Sequence, residues 1–298
     1  MNHLAADVPS ISNTRLFGDI DRGIQADKLV IPGLPVSQLS GFMRGHGTYL
    51  RGDELYSSLA GAVRQVNRLI NVQSVKQRYS PEIGDVVVGS ITEVQEKRWK
   101  VDICGRLDAH LQLASVNLPG GELRRKTTED ELAMRDYLVE GDFISAEVQQ
   151  VHHDGSIFLH TRSLKYGKLG IGVAVRVPSY LIKRRKTHFH ALPCGAGLII
   201  GCNGMIWICE QISEDPDGGY NIDLNQHVPA SNMKVISRLF NCINVLANHG
   251  IHIFETSVMN CYDFSSAYET KDLMRSDVAA EVAAQVIQQL RADIMDES

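Results

Sequence analysis

Gly201-Cys202-Asn203-Gly204 has the Gly-x-x-Gly spacing of a loop that can clamp a nucleic-acid backbone. Such clamps join two helices and usually carry a basic residue between the glycines. Here the inner residues are Cys and Asn. The flanks, Leu198-Ile199-Ile200 and Met205-Ile206-Trp207-Ile208, are short, apolar runs rich in β-branched residues, the pattern of strands. Asn203-Gly204 between two strands signals a hairpin, because both residues tolerate positive φ. Gly201, Asn203 and Gly204 therefore read as a structural turn.

Phosphate chemistry has stronger carriers elsewhere. Net charge is −5, yet positive charge is clustered in Lys97-Arg98-Trp99-Lys100, Arg124-Arg125-Lys126 and Lys183-Arg184-Arg185-Lys186. Local basic faces on a mildly acidic chain permit nucleic-acid contact, and equally suit a solvated surface. Hydrolysis through a metal would need convergent carboxylates. The closest sets are Asp19/Asp21, Asp215/Asp217 and Glu129 to Glu131, none framed by rigid strands. His188, His190, Cys194 and Cys202 are zinc-ligand types, but their spacing fits no common structural zinc pattern. No Walker loop or nucleophile elbow is present. The residues imply no cofactor, no metal and no catalytic group.

A chain of 298 residues, 44% hydrophobic, suits two or three domains. No apolar run reaches the length of a membrane span, and the N-terminus lacks a signal-peptide pattern, so the chain is expected inside the cell. Six cysteines (104, 194, 202, 209, 242 and 261) without a C-x-x-C pair fit reduced, mostly buried thiols.

Residues 1–27 lack periodicity and read as a flexible tail. Residues 28–79 alternate short apolar runs with glycines, the pattern of a small β domain. Residues 80–163 read as three strands, a loop with a helix, and two further strands, the plan of a five-stranded OB barrel. Thr128 and Glu131 form a capping-box pattern that would start a helix running to Leu138. Residues 164–298 mix strands and helices. A helix is expected over 231–249, a strand at "IHIF", and a last helix after Ser276 with Val278, Val282, Val286, Leu290 and Ile294 along one stripe.

Alternation sorts the barrel's residues. Trp99 shares a face with Val101 and Ile103, so it reads as core rather than as a base-stacking platform. Arg98, Lys100, His110 and Gln112 then form an outer face that is charged and lacks aromatics. Such a face would touch phosphates, giving weak, salt-sensitive, sequence-tolerant binding.

The stretches "LVIPG", "GFMRGHGTY", "VNRLINV", "GDVVVGSITEVQEKRWKVD", "NLPGGELRRK", "EDELAMRDYL", "EGDFISAEVQ", "LHTRSLKYGKLG", "KTHFHALPCGAGLIIGCNGMIWI" and "VISRLFNCI" cover most of residues 29–245. In this order they resemble the RNA exosome cap-subunit family of ribosomal RNA-processing protein 4. The resemblance implies an N-terminal β domain, an S1-type OB barrel and a divergent KH-type α+β domain. It implies a non-catalytic subunit seated with other cap subunits on a ring of RNase PH-like subunits. Single-stranded RNA would be guided there into the channel for 3'-to-5' processing and degradation by associated nucleases, in nucleus, nucleolus and cytoplasm, without a membrane. G-x-N-G is this family's variant of the KH signature. Lys100 stands where many S1-type domains carry an aromatic, a departure that argues against strong base stacking.

Within that reading, Arg98, Lys100 and His110 line the RNA face. Arg124, Arg125 and Lys126 project toward RNA or the ring. Lys183, Arg184, Arg185 and Lys186 guide RNA, serve nuclear import or are simply solvated. Phe42, Met43, Arg44, His46 and Tyr49 are the ring-interface candidates, although the apolar ones could instead fill their own domain's core. The alternative function is a free-standing single-stranded RNA-binding protein acting in RNA processing or translation.

Overall fold

The computed structural model describes residues 29–38, 41–74, 76–117, 126–163, 165–210 and 228–296. The expected tail lies outside them. The chain divides into two compact units, residues 1–77 and 78–298.

The first unit is all β: β1 (Leu29–Val30), β2 (Pro35–Gln38), β3 (Met43–Arg44), β4 (Thr48–Arg51), β5 (Glu54–Ser57), β6 (Gly61–Val66) and β7 (Leu69–Ser74). They form two small sheets, ordered β1-β6-β7-β3 and β2-β5-β4. Asn67, at φ 55°, takes the left-handed turn that closes the β6–β7 hairpin. The core is small, built on Val30, Leu55, Ala62, Ile70 and Val72.

The second unit begins with a closed barrel. β8 (Val86–Gln95), β9 (Arg98–Asp102), β10 (Ala109–Val116), β11 (Phe143–Val151) and β12 (Ile157–Thr161) pair in the order β12-β10-β9-β8-β11, and β11 with β12 closes the circle. A short β13 (Gly167–Lys168) extends β11. Closure needs the parallel pairing of β10 with β12; the other barrel pairs are antiparallel. Trp99, Val101, Ile103, Leu111, Ile144 and Leu159 fill the interior. Trp99 is fully buried and its Nε1–H donates to the Leu138 carbonyl at 3.2 Å.

The connecting helix differs from the capping-box expectation by one residue. Thr127, not Thr128, is the N-cap, and Asp130 at 3% exposure is its partner. The Thr127 N–H donates to Asp130 Oδ2 at 2.8 Å. The helix also breaks at Ala133 into α1 (Thr128–Leu132) and α2 (Met134–Tyr137). Both Thr-x-x-acid pairs share the pattern, and the buried carboxylate selects the register.

Four antiparallel strands follow in the order β14-β17-β16-β15: β14 (Gly172–Arg176), β15 (Phe189–Ala191), β16 (Gly197–Ile200) and β17 (Met205–Cys209). Three helices pack with this sheet: α3 (Ala230–Asn248), α4 (Glu255–Ser265) and α5 (Ser276–Asp296). Ile236, Leu239, Ile243 and Leu246 of α3 meet Leu198, Ile206 and Ile208 of the sheet in one core. The expected "IHIF" strand is instead a single parallel bridge between Ile253 and Ile182, after which α4 starts. Val282 and Val286 of α5 are buried, and Val278 and Leu290 pack at the rim of the core. The side chain of Ile294 lies outside the described residues. All six cysteines are free thiols, four of them buried. Among the described residues, no helix is long and apolar enough to cross a membrane.

Candidate nucleic-acid interface

Strand β8 opens with Val86-Val87-Val88, a continuous apolar run rather than an alternating one. The reason is burial on both faces. Val87 points into the barrel core, and Val88 packs with Ile199, Trp207 and Cys209 of the second sheet. Phe143 joins them, its ring 5.3 Å from that of Trp207. This seam joins the barrel to the α+β half.

The Gly201–Gly204 turn sits in the seam. It connects β16 to β17, and the Gly201 N–H donates to the Met205 carbonyl at 2.9 Å. The Cys202 N–H donates to the Val86 carbonyl at 2.8 Å. Asn203, 2% exposed, donates from Nδ2 to the carbonyls of Val88 at 2.7 Å and Ile103 at 2.9 Å. Its Oδ1 accepts a longer bond from the Val88 N–H at 3.4 Å. A Cβ on Gly201 would lie 2.7 Å from the Met205 carbonyl, and one on Gly204 only 2.2 Å from that of Val177; Gly204 also has φ +89°. The Cys202 N–H and the Asn203 amide are thus spent on the barrel backbone. Burial, then the neighbouring Asp85 carboxylate, pushes the Cys202 thiol up to about 11.

A second fastening uses charge. The Arg184 guanidinium bonds Glu82 and reaches Asp85 at 3.4 Å. Asp85, whose side chain is 9% exposed, also accepts from the Tyr79 hydroxyl at 2.8 Å and the Glu82 N–H at 3.1 Å. Burial, then the Asp85 carboxylate, raises the Tyr79 hydroxyl above its ordinary range. Arg184 is thus held in the seam. Its neighbours turn the other way: Lys183 Nζ lies 5.3 Å, and the Arg185 guanidinium carbon 4.8 Å, from the centre of the Phe254 ring. Lys186 is exposed.

The barrel's outer face brings Arg98, Lys100 and His110 together. His110 is directly opposite Lys100, and Gln112 opposite Arg98. Arg98 Nε–H donates to Gln95 at 2.7 Å, and Lys100 pairs with Asp108 at 3.3 Å. This face does not lack aromatics, which corrects the sequence reading. The parallel neighbour β12 sets Phe158 opposite His110, ring centres 5.8 Å apart. His152 meets the Phe158 ring edge-on at 5.0 Å. The result is a row of cation, imidazole and phenyl across three strands. Alternation within "SIFLHTR" marks Phe158 as outward, but only the β10–β12 pairing shows which residues it joins. Burial, then the Arg98 and Lys100 cations, lowers the His110 pKa. Lys126 is half-buried, while Arg124 and Arg125 lie outside the described residues.

In the first unit Met43 is 63% and Tyr49 37% exposed, and Arg44 and His46 are exposed; Phe42 is half-buried. Tyr49 stacks on Tyr56, ring centres 5.8 Å apart. Leu29, Ile31 and Val66 are each more than half exposed as well. The unit's own core does not absorb these apolar side chains.

The residues weighed for metal chemistry are otherwise engaged. Asp130 caps a helix, the His188 ring bonds the Ile200 carbonyl at 3.0 Å, and His190 contacts Glu255 at 3.0 Å. Asp19, Asp21, Asp215 and Asp217 lie outside the described residues. Among the described residues, no three His, Cys, Asp or Glu side chains gather to hold a metal ion.

A closed OB barrel fused through a G-x-N-G turn to an α+β sheet defines a class, the S1–KH nucleic-acid-binding proteins. Comparison agrees along the chain. A model of the RRP4 S1 domain matches residues 78–150, a KH-domain model residues 172–214, and a model of the Exosome complex exonuclease RRP4 N-terminal region residues 29–66. Exosome complex component RRP4 of Mus musculus is 53% identical over 264 residues, covering 88% of this chain and 90% of that one. The Caenorhabditis elegans homolog is 46% identical, covering 94% of each chain. The Schizosaccharomyces pombe component is 40% identical, covering 91% and 86%. The chain belongs to the RRP4 family of exosome complex components.

Proposed function

We propose that the chain is a non-catalytic RNA-binding cap subunit of the exosome. It stabilises a ring of RNase PH-like subunits and guides single-stranded RNA toward the channel, where associated nucleases carry out 3'-to-5' processing and decay in nucleus, nucleolus and cytoplasm. The observation that carries the RNA role is the barrel row Lys100–His110–Phe158, flanked by Arg98. Cations there meet phosphates, and the exposed part of the Phe158 ring offers a surface on which a base can stack. Binding through such groups reads the backbone and tolerates any sequence. Arg124, Arg125 and Lys126, between β10 and α1 in the sequence, would extend the same role. Phe42, Met43, Arg44, His46 and Tyr49 supply a surface for the ring.

The test is charge reversal in the full chain. Arg98→Glu with Lys100→Glu should weaken binding of a fluorescent uridine oligomer at least tenfold and flatten its salt dependence. Each lost phosphate contact removes about 0.7 from the slope of log K against log salt. Unchanged affinity and slope would remove the barrel face from the RNA path.

A further inference from the structure

We propose that Lys183, Arg185 and Lys186, arranged by Phe254, form a second contact for the phosphodiester backbone of single-stranded RNA, on the α+β half. The inference rests on the RNA-binding reading above and adds a site to it.

The four-residue basic run is not one uniform patch. Ile182 bridges to Ile253, the Ile253 N–H donates to the Leu181 carbonyl at 2.8 Å, and the Lys183 N–H donates to the Ile253 carbonyl at 3.3 Å. This pairing brings Phe254 under the next residues of the run. In extended chain, successive side chains point to opposite sides. Arg184 therefore turns to Glu82 and Asp85, while Lys183 and Arg185 both turn onto the Phe254 ring.

Two consequences follow for ligand chemistry. An arginine stacked on an aromatic ring keeps the edge of its planar guanidinium open, and that edge fits a phosphate with two parallel N–H bonds. Stacking also restricts two long side chains before any ligand arrives, so less ordering is needed on binding. The Arg184 pairs tie the ledge to the segment just before β8, so both cationic surfaces belong to one unit. A flexible strand crossing the barrel face could then be held at a second point.

A nuclear-import receptor would need the same run as an extended peptide with all four side chains available. Arg184 is committed to two carboxylates and two neighbours lie on a ring, so the folded segment favours backbone phosphate over peptide readout.

The experiment measures affinity of the full chain for a fluorescent uridine oligomer across a salt series. Three variants are compared with the parent: Arg185→Gln/Lys186→Gln, Phe254→Leu, and Arg98→Glu/Lys100→Glu. Neutralising the ledge should lower affinity and reduce the salt slope by about 1.4, two phosphate contacts. Phe254→Leu keeps every charge; it should leave the slope near the parent's while affinity falls about threefold to tenfold. The Gln pair lies at exposed positions, so it remains informative if the Leu variant is unstable. If the Gln pair leaves affinity and slope unchanged while the barrel variant weakens binding, the ledge is overturned and the RNA-binding reading stands. If the parent itself does not bind, both fall. Capture of an import receptor that the Gln pair abolishes, with RNA affinity untouched, also overturns the ledge.

Discussion

The two units differ in how they treat the solvent boundary. The seam of the second unit buries polar groups and satisfies them: Asn203 is almost fully enclosed and spends its amide on barrel carbonyls. The first unit leaves more apolar groups in water for its size: Leu29, Ile31, Met43 and Val66 are each about 60% exposed or more, although Ile83 and Leu132 of the second unit are exposed too. A buried amide is stable only while its partners stay in place, so the seam is a permanent union. Exposed apolar side chains on so small a core suit the partner surface proposed above. The second unit is fastened internally at its seam; the first carries the greater share of exposed apolar surface for its size.

The largest expected effect would break the first half of that contrast. Asn203→Leu leaves the Val88 and Ile103 carbonyls buried without the amide, at a cost of roughly 3 kcal/mol. Denaturant unfolding should show this as a lower midpoint for the second unit, and an unchanged midpoint would mean the seam does not depend on the amide. Met43→Asp with Tyr49→Asp sharpens the second half. The isolated chain should stay folded and lose about 1 kcal/mol, mostly the Tyr49–Tyr56 stacking, while incorporation into the exosome falls sharply. Equal incorporation, read by affinity purification and quantitative mass spectrometry, would contradict it.

Arg184→Gln is a smaller perturbation of the seam. Asp85 would keep its bonds to Tyr79 and Glu82, and the lost pairs are partly solvated, so about 1 kcal/mol is expected in the same unfolding assay.

The smallest effect concerns pH. The fold lowers the His110 and His160 pKa values from the ordinary 6.5, chiefly through burial. Between the folded value and 6.5 the unfolded chain binds protons that the fold resists, so stability falls as pH drops through that window. His110→Gln should make the decline shallower in a thermal-melt series; an unchanged pH profile would show that His110 does not contribute.

Much of this was legible in the residues. Period-two alternation placed Trp99 inside, and the flanking strands of Asn203-Gly204 announced a hairpin. The long-range consequences were not legible. Nothing local says that the turn's amide bonds a strand about a hundred residues earlier, or that Arg184 pairs with Glu82. Phe158 reads as one outward ring until parallel pairing sets it beside His110. Helix α4 was hidden because "ETSVMNCYDFS" has weak amphipathic contrast, and packing between α3 and α5 decides it. His190 is weighed as a metal ligand and set aside, but nothing in "FHA" announces the edge strand β15.

The most direct measurement is native mass spectrometry of the gently purified endogenous protein. The account predicts a discrete multisubunit particle containing one copy of this chain with RNase PH-like subunits, and a population from which the free chain is nearly missing. A lone chain as the dominant species would contradict the cap role. The exposed surface of the first unit would then need another partner, and the barrel face would belong to a free-standing RNA-binding protein.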